Sequence, residues 1–171
     1  RESYIPGLHQ LARDWLNIIK HNKKVPKWYP FIDPTEDILL GRASRLRCGS
    51  GYANYSILTD GNIAPCPIMV GMKDYYAGSV FNSKADSLLV IPVRGKCKDC
   101  DIFNFCGGRC LYSSIMEPWP KEGADVVCQT VRALHDAIIG IVPEIQELIS
   151  SKELTIEDFA HEKFNGCEII P

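Results

Sequence analysis

The chain has no apolar run of about 18 residues, the least that a helical membrane span needs. It has no excess of charge of one sign. Nineteen Lys and Arg stand against 21 Asp and Glu, for a net charge of −2. No basic stripe or cluster interrupts that balance, which argues against nucleic acid and against an anionic membrane as partners. There is no low-complexity segment and no internal repeat. The opening Arg1-Glu2-Ser3-Tyr4 is neither an initiator Met nor a charged-then-apolar leader. It suggests a fragment or processed chain without a secretory signal, and hence a reducing, cytoplasmic setting. In such a setting disulfides are disfavoured and clustered cysteines are read first as metal ligands.

What the chain does have is a core-forming composition, 46% hydrophobic and 23% charged over 171 residues, and eight cysteines. The length suits one domain or one lobe of a larger enzyme. Ile5, Leu8, Leu11, Trp15, Ile18 and Ile19 fall three or four apart, the stripe of an amphipathic helix over 5–20. Pro26, Pro30 and Pro34 end it in an extended connection, with a short helix expected over 35–40. Tyr55 to Thr59 reads as a strand, Asp60-Gly61 as a tight turn and Asn62 to Ala64 as the return strand, so the hairpin delivers Cys66 back toward Cys48. A short strand is expected at Ser79-Val80-Phe81 and a short helix or turn over 85–91. Residues 97–125, rich in Gly, Cys and Pro, read as irregular loop that needs cross-links to stay ordered. Beyond Cys128 the helical period returns through Val131, Leu134, Ile138 and Ile141. A second helix starts at Pro143 and a capped short one at Thr155 with Asp158. The fold class expected is α+β: a small cysteine-rich domain with a hairpin and cluster-binding loops, flanked by N-terminal and C-terminal helices.

The cysteines are Cys48, Cys66, Cys97, Cys100, Cys106, Cys110, Cys128 and Cys167. Cys97-Lys98-Asp99-Cys100 has the two-residue spacing that turns both sulfurs toward one metal centre. In Cys106-Gly107-Gly108-Arg109-Cys110 the glycines permit sharp turns and close approach of backbone to an inorganic core. Arg109 could offset the charge of such a core. Spacing alone leaves iron–sulfur and structural zinc both open. A ferredoxin-type electron carrier is weakened by the absence of a compact CxxCxxC run. His9, His21, His135 and His161 are scattered, and each reads as a solvated or internally satisfied side chain.

The whole array runs Cys48, twelve residues, Gly61, four residues, Cys66. After a gap it continues Cys97, two residues, Cys100, five residues, Cys106, three residues, Cys110, seventeen residues, Cys128. Together with Cys48-Gly49-Ser50-Gly51 and Thr59-Asp60-Gly61-Asn62-Ile63-Ala64-Pro65-Cys66, this closely resembles the seven-cysteine SPASM signature. That signature marks the C-terminal auxiliary-cluster domain of radical S-adenosylmethionine enzymes. The resemblance covers about residues 45–130 and shifts the preference to iron–sulfur. It implies two [4Fe–4S] clusters. Cys48, Cys66 and Cys110 would hold the first, its fourth position open or taken by Cys167. Cys97, Cys100, Cys106 and Cys128 would hold the second. Related sulfatase-maturating enzymes add a cysteine just upstream of the first, and 41–47 contains none.

The CxxxCxxC loop that binds the S-adenosylmethionine-cleaving cluster is also absent. The resemblance therefore implies the C-terminal part of a longer oxidoreductase or maturase, inactive alone, whose S-adenosylmethionine site and barrel lie in a missing N-terminal part. It implies a peptide or protein substrate, with electron transfer and substrate positioning as this chain's contribution. The alternative is a structural zinc module docking a protein partner, and protein made in air could take up zinc in place of iron, since thiolate sites accept either metal. The organisation expected is 1–44 as helical linker or end of the barrel, 45–130 as the auxiliary-cluster domain and 131–171 as a helical cap.

Overall fold

The structure, a computed structural model, describes residues 3–162. Two compact units emerge: Arg1–Ser44 with Trp119–Phe164, and Arg45–Pro118. The class is mixed, with extensive helix and a small antiparallel sheet, consistent with α+β.

The first unit is helical. It contains α1 (Tyr4–Asn22), α2 (Ile32–Leu39), α5 (Lys121–Ile139) and α6 (Val142–Ser150), then a 3₁₀ turn, Ile156–Phe159. The helix α1 packs against α5. Its buried face is Leu8, Ala12, Trp15, Leu16 and Ile19, while Leu11 is half exposed. The stripe is thus rotated from the one read in the sequence, with Ala12 and Leu16 taking inward places and Leu11 turned outward. Trp15 is fully buried and organises the unit. Its indole N–H donates to the Pro26 carbonyl at 2.8 Å, its ring stacks on Phe31 at 5.8 Å, and it meets Phe159 edge-on at 6.3 Å. Such ring pairs add roughly 0.5–1.5 kcal/mol beyond area burial.

The helix α2 begins three residues earlier than expected, with Pro34 inside it. A proline in the first helical turn is tolerated because no intrahelical bond needs its missing N–H. The helix α5 begins seven residues ahead of Cys128 and buries Val131, Leu134, Ala137 and Ile138. Residues 121–150 pass for a membrane span by length and composition alone, but their apolar residues Leu134, Ile138, Ile141 and Ile145 lie in this unit's core. The Thr155–Asp158 capping box is present, with the Thr155 N–H donating to the Asp158 carboxylate at 2.7 Å.

The second unit holds a three-stranded antiparallel sheet, β1 (Ser56–Ile57), β2 (Asn62–Ala64) and β3 (Gly78–Ser79), in the order β1-β2-β3. Ser56 faces Ala64 and Ile63 faces Gly78 across it. The turn is the expected one. Gly61 takes φ +82°, and the Asp60 carboxylate accepts from the Asn62 backbone and side-chain amides at 3.0 and 2.8 Å. Those bonds hold the Asp60 carboxyl below its ordinary value. The strand expected at 79–81 is shifted back to Gly78–Ser79, and Phe81 instead lies over Gly61. Residues 97–125 are less irregular than the sequence suggested: they contain α3 (Phe103–Cys106) and α4 (Leu111–Met116). Both are too short to show a period, and glycines or left-handed residues end them.

Glu144 of α6 receives Lys20 and Arg13 from α1, the latter at 2.6 Å. Hydrogen bonds from Lys20, then Arg13, hold its carboxyl below the ordinary 4.5. A depressed carboxyl stabilises the fold above its unfolded value, and the effect is lost as pH falls through the folded value. Glu144→Gln should therefore melt slightly below the wild type at pH 7, and the two melting curves should converge as the pH is lowered below 4.5. A gap that stays constant with pH would show that the carboxylate charge contributes nothing.

Candidate metal centre

Six of the seven described cysteines lie in the second unit, all half-buried. Cys128 lies on α5 of the other unit and is exposed. Cys167 lies outside the described residues. None of the seven is in a disulfide.

Cys48, Cys66 and Cys110 each stand within three residues in sequence of a member of one buried cluster. The buried cluster of this unit consists of Leu46, Met69 and Leu111, with Cys66 itself packed against it. Leu46 stands two residues before Cys48, Met69 three after Cys66, and Leu111 directly after Cys110. The backbone adds cross-ties. The Ser50 hydroxyl and the Gly51 N–H both donate to the Pro65 carbonyl at 3.1 Å, joining the chain after Cys48 to the chain before Cys66. The Leu46 N–H donates to the Gly107 carbonyl at 3.2 Å, and the Arg47 guanidinium donates to the Phe105 carbonyl at 3.2 Å. The approach to Cys48 thus runs alongside the loop that ends at Cys110. Asn54 secures Cys48 further by donating to its carbonyl at 2.9 Å.

Cys97, Cys100 and Cys106 lie on a string of tight turns. The Cys100 N–H bonds to the Cys97 carbonyl at 3.3 Å, Phe103 to Cys100 at 3.0 Å, and Cys106 to Ile102 at 2.9 Å. Each bond closes about one turn, which is how a CxxC segment keeps two sulfurs on one side. The Cys100 thiol also approaches the Asp101 carboxylate at 3.5 Å.

Gly107 is where this arrangement tolerates no side chain. It has φ +67°, and a Cβ there would stand 2.7 Å from the Leu46 backbone nitrogen and 2.8 Å from Arg45 backbone atoms. Gly108, at φ +88°, would press on Val93 at 2.6 Å. The glycines between Cys106 and Cys110 serve close approach of neighbouring chain, at Arg45, Leu46 and Val93.

As donor chemistry the six thiols suit soft-metal ligation. A single tetrahedral zinc would bring its sulfurs within about 3.8 Å of one another. No three of these six come within 4.8 Å of one another. A four-iron cube spreads its ligands more widely. The thiol chemistry of the first set fits an iron–sulfur cluster as it fits zinc.

No protein-family model, no curated protein and no solved structure matches the chain. A functional reading rests on the residues and their placement.

One grouping escaped sequence reading. Asp33, Glu36 and His161 converge in the first unit, whereas His135 only meets its neighbour Asp136 at 2.9 Å. The i, i+3 spacing of Asp33 and Glu36 on a helix was the available signal, but their partner lies more than a hundred residues away.

Gly107→Ala should destabilise the chain by about 1–3 kcal/mol, since strain and backbone overlap add at one position. Chemical unfolding monitored through tryptophan fluorescence and far-ultraviolet circular dichroism checks this. Unfolding at the wild-type midpoint would mean that the loop from Cys106 to Cys110 shifts freely.

Proposed function

We propose that this chain is the auxiliary-cluster portion of a radical S-adenosylmethionine enzyme that modifies a peptide or protein. It works in the reducing cytoplasm, and the radical-generating barrel belongs to the same full-length chain. The observation that supports this best is the buried cluster of Leu46, Met69 and Leu111, which draws together three segments that each carry a cysteine within three residues, Cys48, Cys66 and Cys110, up to 62 positions apart in sequence. The cysteine register resembles the SPASM pattern.

On this reading Cys48, Cys66 and Cys110 hold one [4Fe–4S] cluster, with an open fourth position or Cys167. Cys97, Cys100, Cys106 and Cys128 hold the other. When bound, the clusters supply one-electron transfer. The chain's own residues do the rest. The core of Leu46, Met69 and Leu111 fixes the thiols of the first set. Gly107 and Gly108 let backbone come close. Arg109 brings a cation whose Nε is buried. Substrate positioning falls to the walls around the first set, where an open iron position would accept a substrate atom.

The test is iron, sulfide and zinc content with electron paramagnetic resonance on protein reconstituted without oxygen. About eight irons and eight sulfides per chain are expected, falling to about four in Cys48→Ala and in Cys97→Ala. Tight binding of about two zincs with no iron uptake would overturn the proposal in favour of a structural zinc module.

A further inference from the structure

Independently of the cysteines, the first unit contains a second donor set. Asp33 and Glu36 project from one face of α2. His161 follows the capped turn Ile156–Phe159, which packs against α2. The imidazole is 1% exposed, Glu36 12% and Asp33 20%. Two contacts fix the ring. Tyr29 meets it edge-on at 5.9 Å and donates its hydroxyl hydrogen to the Glu162 carbonyl at 3.1 Å. The His161 Nδ1 lies 3.0 Å from the Phe159 carbonyl.

That last contact decides the chemistry. A carbonyl only accepts, so Nδ1 carries the hydrogen and donates it. Nε2 is then left as the coordinating nitrogen, the arrangement in which metal-bound histidines are held by a carbonyl behind them. Nε2 is buried, makes no hydrogen bond, and faces the Asp33 Oδ1 at 3.4 Å. A charge-assisted hydrogen bond between such groups would be about 2.7–2.9 Å long. By contrast, two ligands each about 2.1 Å from one tetrahedral metal stand about 3.4 Å apart. The Glu36 Oε2 lies 3.7 Å from Nδ1, on the other side of the ring from Asp33, and one ligand atom from each of the three residues falls within 4.8 Å of the others.

We propose that Asp33, Glu36 and His161 bind one divalent cation. Two carboxylates and a neutral imidazole bring two negative charges, which balance a dication in a half-buried place. The N/O donor set suits manganese, ferrous iron or zinc, and is unlike the thiol sets of the second unit. Three protein ligands leave at least one position for water. The ion ties α2 to the segment after Phe159, two elements the sequence separates by more than a hundred residues.

Manganese is the probe, because it is hard and avoids thiolates. The free Mn²⁺ paramagnetic resonance signal is titrated against the full chain prepared without oxygen. One Mn²⁺ per chain is expected to bind, and to bind at least about tenfold more weakly in Glu36→Gln and in His161→Gln. Glu36→Gln is nearly isosteric, so its circular dichroism should match the wild type and separate lost binding from lost fold. The proposal is overturned if the wild type leaves the Mn²⁺ signal undiminished up to millimolar metal, or if folded Glu36→Gln binds as the wild type does. It is also overturned if nitrogen chemical shifts show His161 protonated on both ring nitrogens at pH 7 with Mn²⁺ present. Cluster content plays no part in the readout, so the result stands apart from the fate of the auxiliary-cluster reading.

Discussion

The second unit is built on a small buried apolar cluster whose members stand close in sequence to cysteines. Leu46, Met69 and Leu111 are its buried apolar cluster, with a rim of half-buried side chains such as Tyr52, Ile91 and Val93. Ile63, Ala64, Ala77, Ile102 and Phe105 are buried in the same unit. Leu46, Met69 and Leu111 each stand within three residues of a cysteine in sequence. A bridging group bound by the cysteines would therefore act on the same points as the core, closing long loops at the places where packing already draws them together.

The first unit has the opposite economy. Its helices carry wide apolar faces and gather around Trp15, whose ring contacts and indole hydrogen bond join α1 to the Pro26 turn, to Phe31 and to Phe159. Hydrophobic burial organises this unit, and its polar features lie at its edges: the Glu144 ion pairs, the Thr155–Asp158 cap and the Asp33–Glu36–His161 group. In the proposed metal site a cation would do at one edge of this unit what clusters would do throughout the other.

Much of this was legible in the sequence where a local rule applied. The period of α1, α5 and α6, the Asp60-Gly61 turn and the Thr155 cap follow from spacing of three or four, from a residue tolerating positive φ, and from a side chain reaching three residues forward. The rotation of α1 was not legible, because whether Leu11 or Leu16 turns inward depends on what packs there and not on the stripe itself. The short helices α3 and α4 were missed because four to six residues hold no period, and their boundaries come from Gly107 and from Glu117 in a left-handed conformation. The cysteines announced themselves by number and register, but the clustering of Leu46, Met69 and Leu111, each near one of them in sequence, is a tertiary fact. His161 gave no signal, since its partners Asp33 and Glu36 lie more than a hundred residues away in sequence.

On the proposed function, bridging through the cysteines adds to packing in ordering the second unit. Hydrogen exchange of the full chain before and after anaerobic cluster loading tests it most directly. The account predicts that the amides of Leu46, Gly51 and Met69, whose partners are Gly107, Pro65 and Cys66, exchange quickly in the metal-free chain and slow markedly on loading. The amides within α1 and α5 should be protected in both. Equal protection of Leu46, Gly51 and Met69 with and without clusters would contradict the account and show that the unit folds on its core alone.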